Sequence, residues 1–101
     1  LNDYILFMHH DAAGTDAASD AGLWARYLAR LRGTGLFDGG SAIGPGERLR
    51  KGTPGRPCDD DLSGFVRVHA ESLSAAKELL LPGNPVYEAG GTVELRELPR
   101  S

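Results

Sequence analysis

The sequence predicts a two-layer α+β sandwich with its elements in the order β-α-β-β-α-β. Three observations carry this. Asp3–His10 and Leu62–Ala70 alternate with the two-residue period of strands. Leu23, Trp24, Tyr27, Leu28 and Leu31 recur at three- and four-residue spacing, and so do Ala76, Leu79 and Leu80. Each helical stretch ends in glycine or proline and is followed by a further stretch of strand character. At 101 residues the chain predicts a single domain, 1–101, with a core of its own.

The first strand, Asp3–His10, sets Tyr4, Leu6 and Met8 on one face and Ile5 and Phe7 on the other. Both faces are apolar, so the strand is expected at the sheet centre, covered on both sides. Helices supply one cover; the other must be a second sheet or a partner subunit, which points to a homodimer. Asp11–Ser19 is a small polar link, with Thr15 or Ser19 as helix cap. The first helix carries Arg26, Arg30 and Arg32 toward its end, as the helix dipole favours, and Gly33 and Gly35 terminate it.

Leu36–Ile43 reads as a second strand with a glycine interruption, the mark of a bulge. Gly44-Pro45-Gly46 is a turn. Glu47–Lys51 predicts a short charged edge strand and Gly52–Asp61 a loop. Leu62–Ala70 buries Val66, Val68 and Ala70. Ser72 caps the second helix, Pro82-Gly83 ends it, an irregular loop follows, and Gly90-Gly91 launches the last strand, which Pro99 stops.

Two β-α-β halves give a ferredoxin-like βαββαβ sandwich. The expectation is that the first and third long strands run parallel at the sheet centre. Their ends would then gather His9, His10 and His69 at one edge.

Composition narrows function by exclusion. A net charge of -3 argues against a nucleic-acid partner, which needs a basic face. No apolar run approaches the ~20 residues of a membrane span, and no signal segment is expected ahead of the first strand. The single Cys58 forms no internal disulfide, so a cytoplasmic setting is expected.

Candidate chemistry lies on the strands. Arg67, His69, Glu94 and Arg96 share the face away from the helices. They make either a cavity for a small anionic ligand, with His10 or His69 as catalytic base, or a salt-bridged dimer interface. Trp24 either lines a cleft or packs in the core. Asn84, before Pro85, either lines the cleft mouth or satisfies a tight turn. His9, His10 and Asp11 resemble a ligand cluster, but adjacent strand residues point to opposite faces, so no metal is expected. The glycines at 39, 40, 44 and 46 match no phosphate-binding pattern and read as turn glycines, and no cofactor is expected. The Asp59-Asp60-Asp61 run reads as solvated.

The opening YILFM strand, the Trp24…Leu28…Leu31…Gly35 spacing, Gly40-Ser41-Ala42-Ile43, Gly64-Phe65 leading to Ser72-Leu73 and Ala76, and the run Asn84–Glu94 form one ordered pattern. It resembles the YCII-related family, including its DGPF-type members, along nearly the whole chain. The resemblance implies a ferredoxin-like fold that dimerises sheet to sheet as an α+β barrel, with a cleft suspected of small-molecule chemistry. Some relatives are proposed to pair a first-helix histidine with an aspartate of an Asp-Pro pair. Here those positions hold Trp24 and Asn84, and the DGPF tetrapeptide is absent, so that mechanism does not carry over. DGPF-type relatives are also linked to sigma-factor regulation. The functional expectation is thus a small-molecule enzyme or binder, with a regulatory or protein-interaction module as the alternative.

Overall fold

The computed structural model describes residues 1–12, 16–58 and 61–100. The strands are β1 (Asn2–His9), β2 (Phe37–Ala42), β3 (Glu47–Arg48), β4 (Arg56–Pro57), β5 (Leu62–Ala70) and β6 (Val93–Leu98). The helices are α1 (Ala21–Gly33), α2 (Leu73–Leu80) and α3 (Pro85–Glu88), with a 3-10 turn at Ala17–Ser19. β2, β5, β1 and β6 form, in that order, one four-stranded sheet. Tyr4, Leu6, Met8, Val66, Val68 and Ala70 project from it into a single core with Tyr27 and Leu31 of α1 and Ala76 and Leu80 of α2. This is the expected ferredoxin-like two-layer fold.

One expectation about the sheet is overturned. β1 and β5 are neighbours at its centre, but they run antiparallel, with Asn2 opposite Ala70 and His9 opposite Leu62. β5 also pairs antiparallel with β2, and β1 with β6. Each β-α-β half is therefore a parallel pair, β1 with β2 and β5 with β6, into which the other half inserts one strand. Alternation within a strand fixes its faces and carries no information about its direction. In consequence His69, opposite Asp3, lies at the far end of the sheet from His9. Asp3 and His9 are six residue steps apart along β1, roughly 20 Å. The three histidines do not gather.

The helix ends follow local chemistry. Asp20, not Ser19, caps α1, accepting from the backbone N–H of Gly22 at 2.8 Å and Leu23 at 3.1 Å. Ser19 instead turns its hydroxyl back to the Asp16 carbonyl; the other expected cap, Thr15, lies outside the described residues. Ser72 caps α2 through Ala75 N–H at 3.1 Å, as its position predicts. Arg30 donates to the carbonyls of Leu79 and Pro82, and the Tyr27 hydroxyl donates to that of Leu80 at 2.7 Å. These bonds satisfy the carbonyls at the α2 C-terminus and tie the two helices together.

Two segments differ from expectation. Glu47–Arg48 pairs with Arg56–Pro57 in a separate two-stranded ribbon and does not edge the main sheet. Residues 44–58 are all exposed, so the ribbon projects. The radius of gyration, 14.8 Å, accordingly exceeds the roughly 13 Å of a compact chain this long. The stretch after α2, expected to be irregular, contains α3. Asn84 caps it and Pro85 sits at its first position. Four residues are too few to show a helical period.

The sheet face opposite the helices carries Ile5, Phe7 and Phe65 beside Arg67, His69, Glu94 and Arg96, as the strand partners require. No helix of the described residues covers it, and the fold is 18 Å thick along its shortest axis. No helix among the described residues is long and apolar enough to cross a membrane.

A candidate cleft between the first helix and the sheet

Strand β2 is made almost without side chains: Phe37-Asp38-Gly39-Gly40-Ser41-Ala42. On the helix side Gly40 lies opposite Val66, and Ala42 lies opposite Gly64. Tyr4, Leu6 and Val68 fill the space beneath the helices elsewhere; here the floor is bare and α1 stands off. Gly40 cannot be larger, because a Cβ there would meet the Phe65 carbonyl oxygen at 2.5 Å. Gly39 takes φ +105° where the register shifts after Phe37, a backbone that favours glycine and makes the expected bulge. These two glycines therefore belong inside the strand, not in a turn.

The result is a cavity of about 680 Å³. Met8, Trp24, Leu28, Phe37, Val66 and Val86 give it apolar walls. Trp24, Leu28 and Arg32 succeed one another at four-residue spacing and form a stripe of α1 along its length. The Trp24 indole N–H donates to the Ala18 carbonyl at 2.6 Å, and its ring meets Tyr27 edge-on at 5.9 Å, so the wall is fixed. Volume and lining are those of a small-molecule site.

Polar groups stand at both ends. Because α1 follows β1, the Trp24 end of the stripe lies toward His10, which lines the cleft and is exposed. At the other end the Arg32 guanidinium lies 5.6 Å from the centre of the Phe37 ring. No acidic residue lines the cavity among the described residues.

His9 also lines the cavity, but its Nε2 is hydrogen-bonded to Glu94 at 2.6 Å, and Glu94 lies 3.6 Å from Arg96. The His9 bond, above all, holds the Glu94 carboxyl below its ordinary range. His9 is thus the imidazole committed to the open face.

Arg67 and His69 line a second cavity of about 530 Å³ at the opposite end of the sheet. His69 Nδ1 lies 2.9 and 3.0 Å from the two Asp38 carboxylate oxygens, and Arg67 donates to the Asp38 carbonyl at 3.1 Å. Arg100 pairs with Asp3 there and lowers its pKa, chiefly by hydrogen bonding. Asn84 lines neither cavity. It is fully buried, accepts from Val86 and Tyr87 N–H at 3.1 and 3.0 Å, and donates to Met8 Sδ at 3.5 Å.

The structure therefore brings Trp24 and His10 to one cavity and Arg67 and His69 to another, with Glu94 and Arg96 on the open face. Within one protomer His10 and His69 do not share a site. Leu28, Arg32, Phe37 and the glycine floor were not singled out from the sequence. Small residues facing each other on neighbouring strands, Gly40 and Ala42 beside Gly64, were the legible signal. No group of three or more His, Cys, Asp or Glu among the described residues is placed to hold a metal ion.

The fold and cleft define a class, a ferredoxin-like α+β domain with an apolar pocket beneath its first helix. No family model matches the sequence, and no curated protein matches it. Among solved structures the chain is similar to 5-chloro-2-hydroxyhydroquinone dehydrochlorinase (TftG) from Burkholderia phenoliruptrix AC1100, in complex with 2,5-dihydroxybenzoquinone. The TM-score is 0.56 at 17% identity, over 98% of this chain and 95% of that one. At this identity the likeness is one of fold.

Proposed function

We propose that this is a YCII-related protein whose α1–sheet cleft binds a small, flat, largely apolar molecule and acts on it by acid–base chemistry. The observation that carries the reading is the cleft itself: aromatic and aliphatic walls over a floor of glycine and alanine, with an imidazole at one end. A floor without side chains leaves a slot suited to a ring. His10 is the base in this reading, since imidazole exchanges protons readily near neutral pH. The ordered sequence pattern and the likeness of fold support the family. The 2,5-dihydroxybenzoquinone held by TftG is the size of ligand such a slot accepts. We further propose a cytoplasmic homodimer that covers the open sheet face, with Arg67, His69, Glu94 and Arg96 at or beside the interface.

Trp24 is the only tryptophan, so its fluorescence reports on the cleft wall. Titration with 2,5-dihydroxybenzoquinone and with hydroxylated benzenes should give saturable quenching, confirmed by calorimetry. Ala42→Phe fills the floor and should abolish it. Undiminished binding by that variant would remove the cleft as the site. His10→Gln should leave binding intact while suppressing base-catalysed deuterium exchange at the ring carbons of the bound ligand.

The alternative, an interaction module, draws on the projecting ribbon, where Leu49 is 77% exposed beside Arg50 and Lys51. On that reading serine at these three positions abolishes partner binding; on the first it leaves ligand binding unchanged.

A further inference from the structure

We infer that the molecule bound in the α1–sheet cleft is an elongated aryl carboxylic acid whose carboxylate is received by Arg32. The inference rests on the cleft reading above and adds the ligand's class and direction.

Arg32 carries the charge argument. Its guanidinium lies against Phe37, which holds the stem at the cleft wall, and its side chain makes no hydrogen bond or ion pair with any described residue. Five N–H donors in a planar fork are thus open to a ligand, and that fork matches a carboxylate. The charge balance agrees. The chain has 14 acidic residues against 11 Lys and Arg, yet no acidic residue among the described ones lines this cavity. One exposed cation at the end of an apolar cleft, with no acidic residue among the described lining residues, favours a monoanion. A phosphate dianion calls for more donors than the apolar walls supply.

The helix fixes the length. Trp24 and Arg32 are eight residues apart on one stripe of α1, about 12 Å along the axis. Phe37 starts β2 beside Arg32, and Ala42 ends it toward His10, so the cation and the base stand at opposite ends of the slot. A two-ring acid with a hydroxyl at its far end matches that ~12 Å better than a single ring does, and its hydroxyl would lie toward the His10 end.

The test uses the isosteric pair 6-hydroxy-2-naphthoate and 6-hydroxy-2-naphthamide, measured by calorimetry on the wild type and on Arg32→Gln. The wild type should bind the acid at least tenfold tighter than the amide. Arg32→Gln should weaken the acid roughly ten- to a hundredfold, the value of a hydrogen-bonded charge contact, and leave the amide unchanged. Retained amide binding also shows that the variant is folded. Equal affinities in the wild type, or equal losses for both ligands in Arg32→Gln, overturn the role of Arg32 and leave the cleft reading standing. Failure of the wild type to bind either compound overturns the two-ring class, and the cleft reading falls with it only if 2,5-dihydroxybenzoquinone also fails to bind.

Discussion

Asn84 shows how a polar side chain can be wholly committed to architecture. Its oxygen caps α3 and its amide reaches Met8, in a place with no access to water. Asn84→Ala would leave two backbone N–H groups without that acceptor. It should lower the unfolding free energy by about 2 kcal/mol in urea titration; a loss under ~0.5 kcal/mol would mean the cap is dispensable. The exposed carboxylates act differently. Glu94 is held below its ordinary pKa by the His9 hydrogen bond, Asp11 by that of the Thr92 hydroxyl, and Asp3 by that of Arg100. Each binds its proton less readily folded than unfolded, so each adds stability above the ordinary carboxylate range. That contribution is lost as pH falls through and below the range. The urea midpoint should therefore drop as pH is lowered from 6 toward 3. His9→Leu should lessen the drop, because the bond that lowers Glu94 is gone. An unchanged acid limb in that variant would show the bond has no weight in solution.

Strand β2 is the element on which the site depends, and its chemistry is that of missing side chains. Gly40→Ala would set a methyl against backbone atoms of β5, at 2.5 Å from the Phe65 oxygen and 3.2 Å from Val66 Cα. Neither can rotate away, so β2 must shift. The cost should be about 1–3 kcal/mol by thermal or urea unfolding, and ligand binding should weaken because the floor moves. A variant of wild-type stability would show that β2 tolerates the methyl by sliding. This element also marks the limit of what the sequence discloses. The long strands and both main helices declare themselves, because Tyr4-Leu6-Met8, Val66-Val68-Ala70 and Leu23…Leu31 bury one face at a fixed period. Even the bulge in β2 is legible from its glycines. α3 and the β3–β4 ribbon are too short to have a period. The cleft escaped because it arises from two strands distant in sequence, each harmless alone: glycine in β2 and Gly64 in β5. Strand direction escaped for a related reason, and with it went the gathering of His10 and His69.

At the scale of the molecule the open sheet face is the outstanding feature. Ile5, Phe7 and Phe65 lie there half-buried, and charged groups ring them: Arg67 and His69 toward one end, Glu94 and Arg96 along β6. Apolar centre and polar rim are the anatomy of a protein interface. A helix layer covers only the other face, so a second copy is the economical cover. Sedimentation should then give twice the 10.7 kDa of the chain. Phe7→Glu sets a charge at the centre, beside Glu94, and should yield a folded monomer. A wild type that sediments as a single chain at micromolar concentration would remove the barrel-like dimer. It would not remove the cleft, whose apolar walls of Met8, Trp24, Leu28, Val66 and Val86 lie on the helix side, although His9 and Phe65 of the open face also line the cavity. The Phe7→Glu variant separates the two ideas: if it is monomeric and still binds aryl ligands with wild-type affinity, the site belongs to the protomer. If binding disappears with the dimer, the second copy must complete the site, and the open face takes over as the place to look for its chemistry.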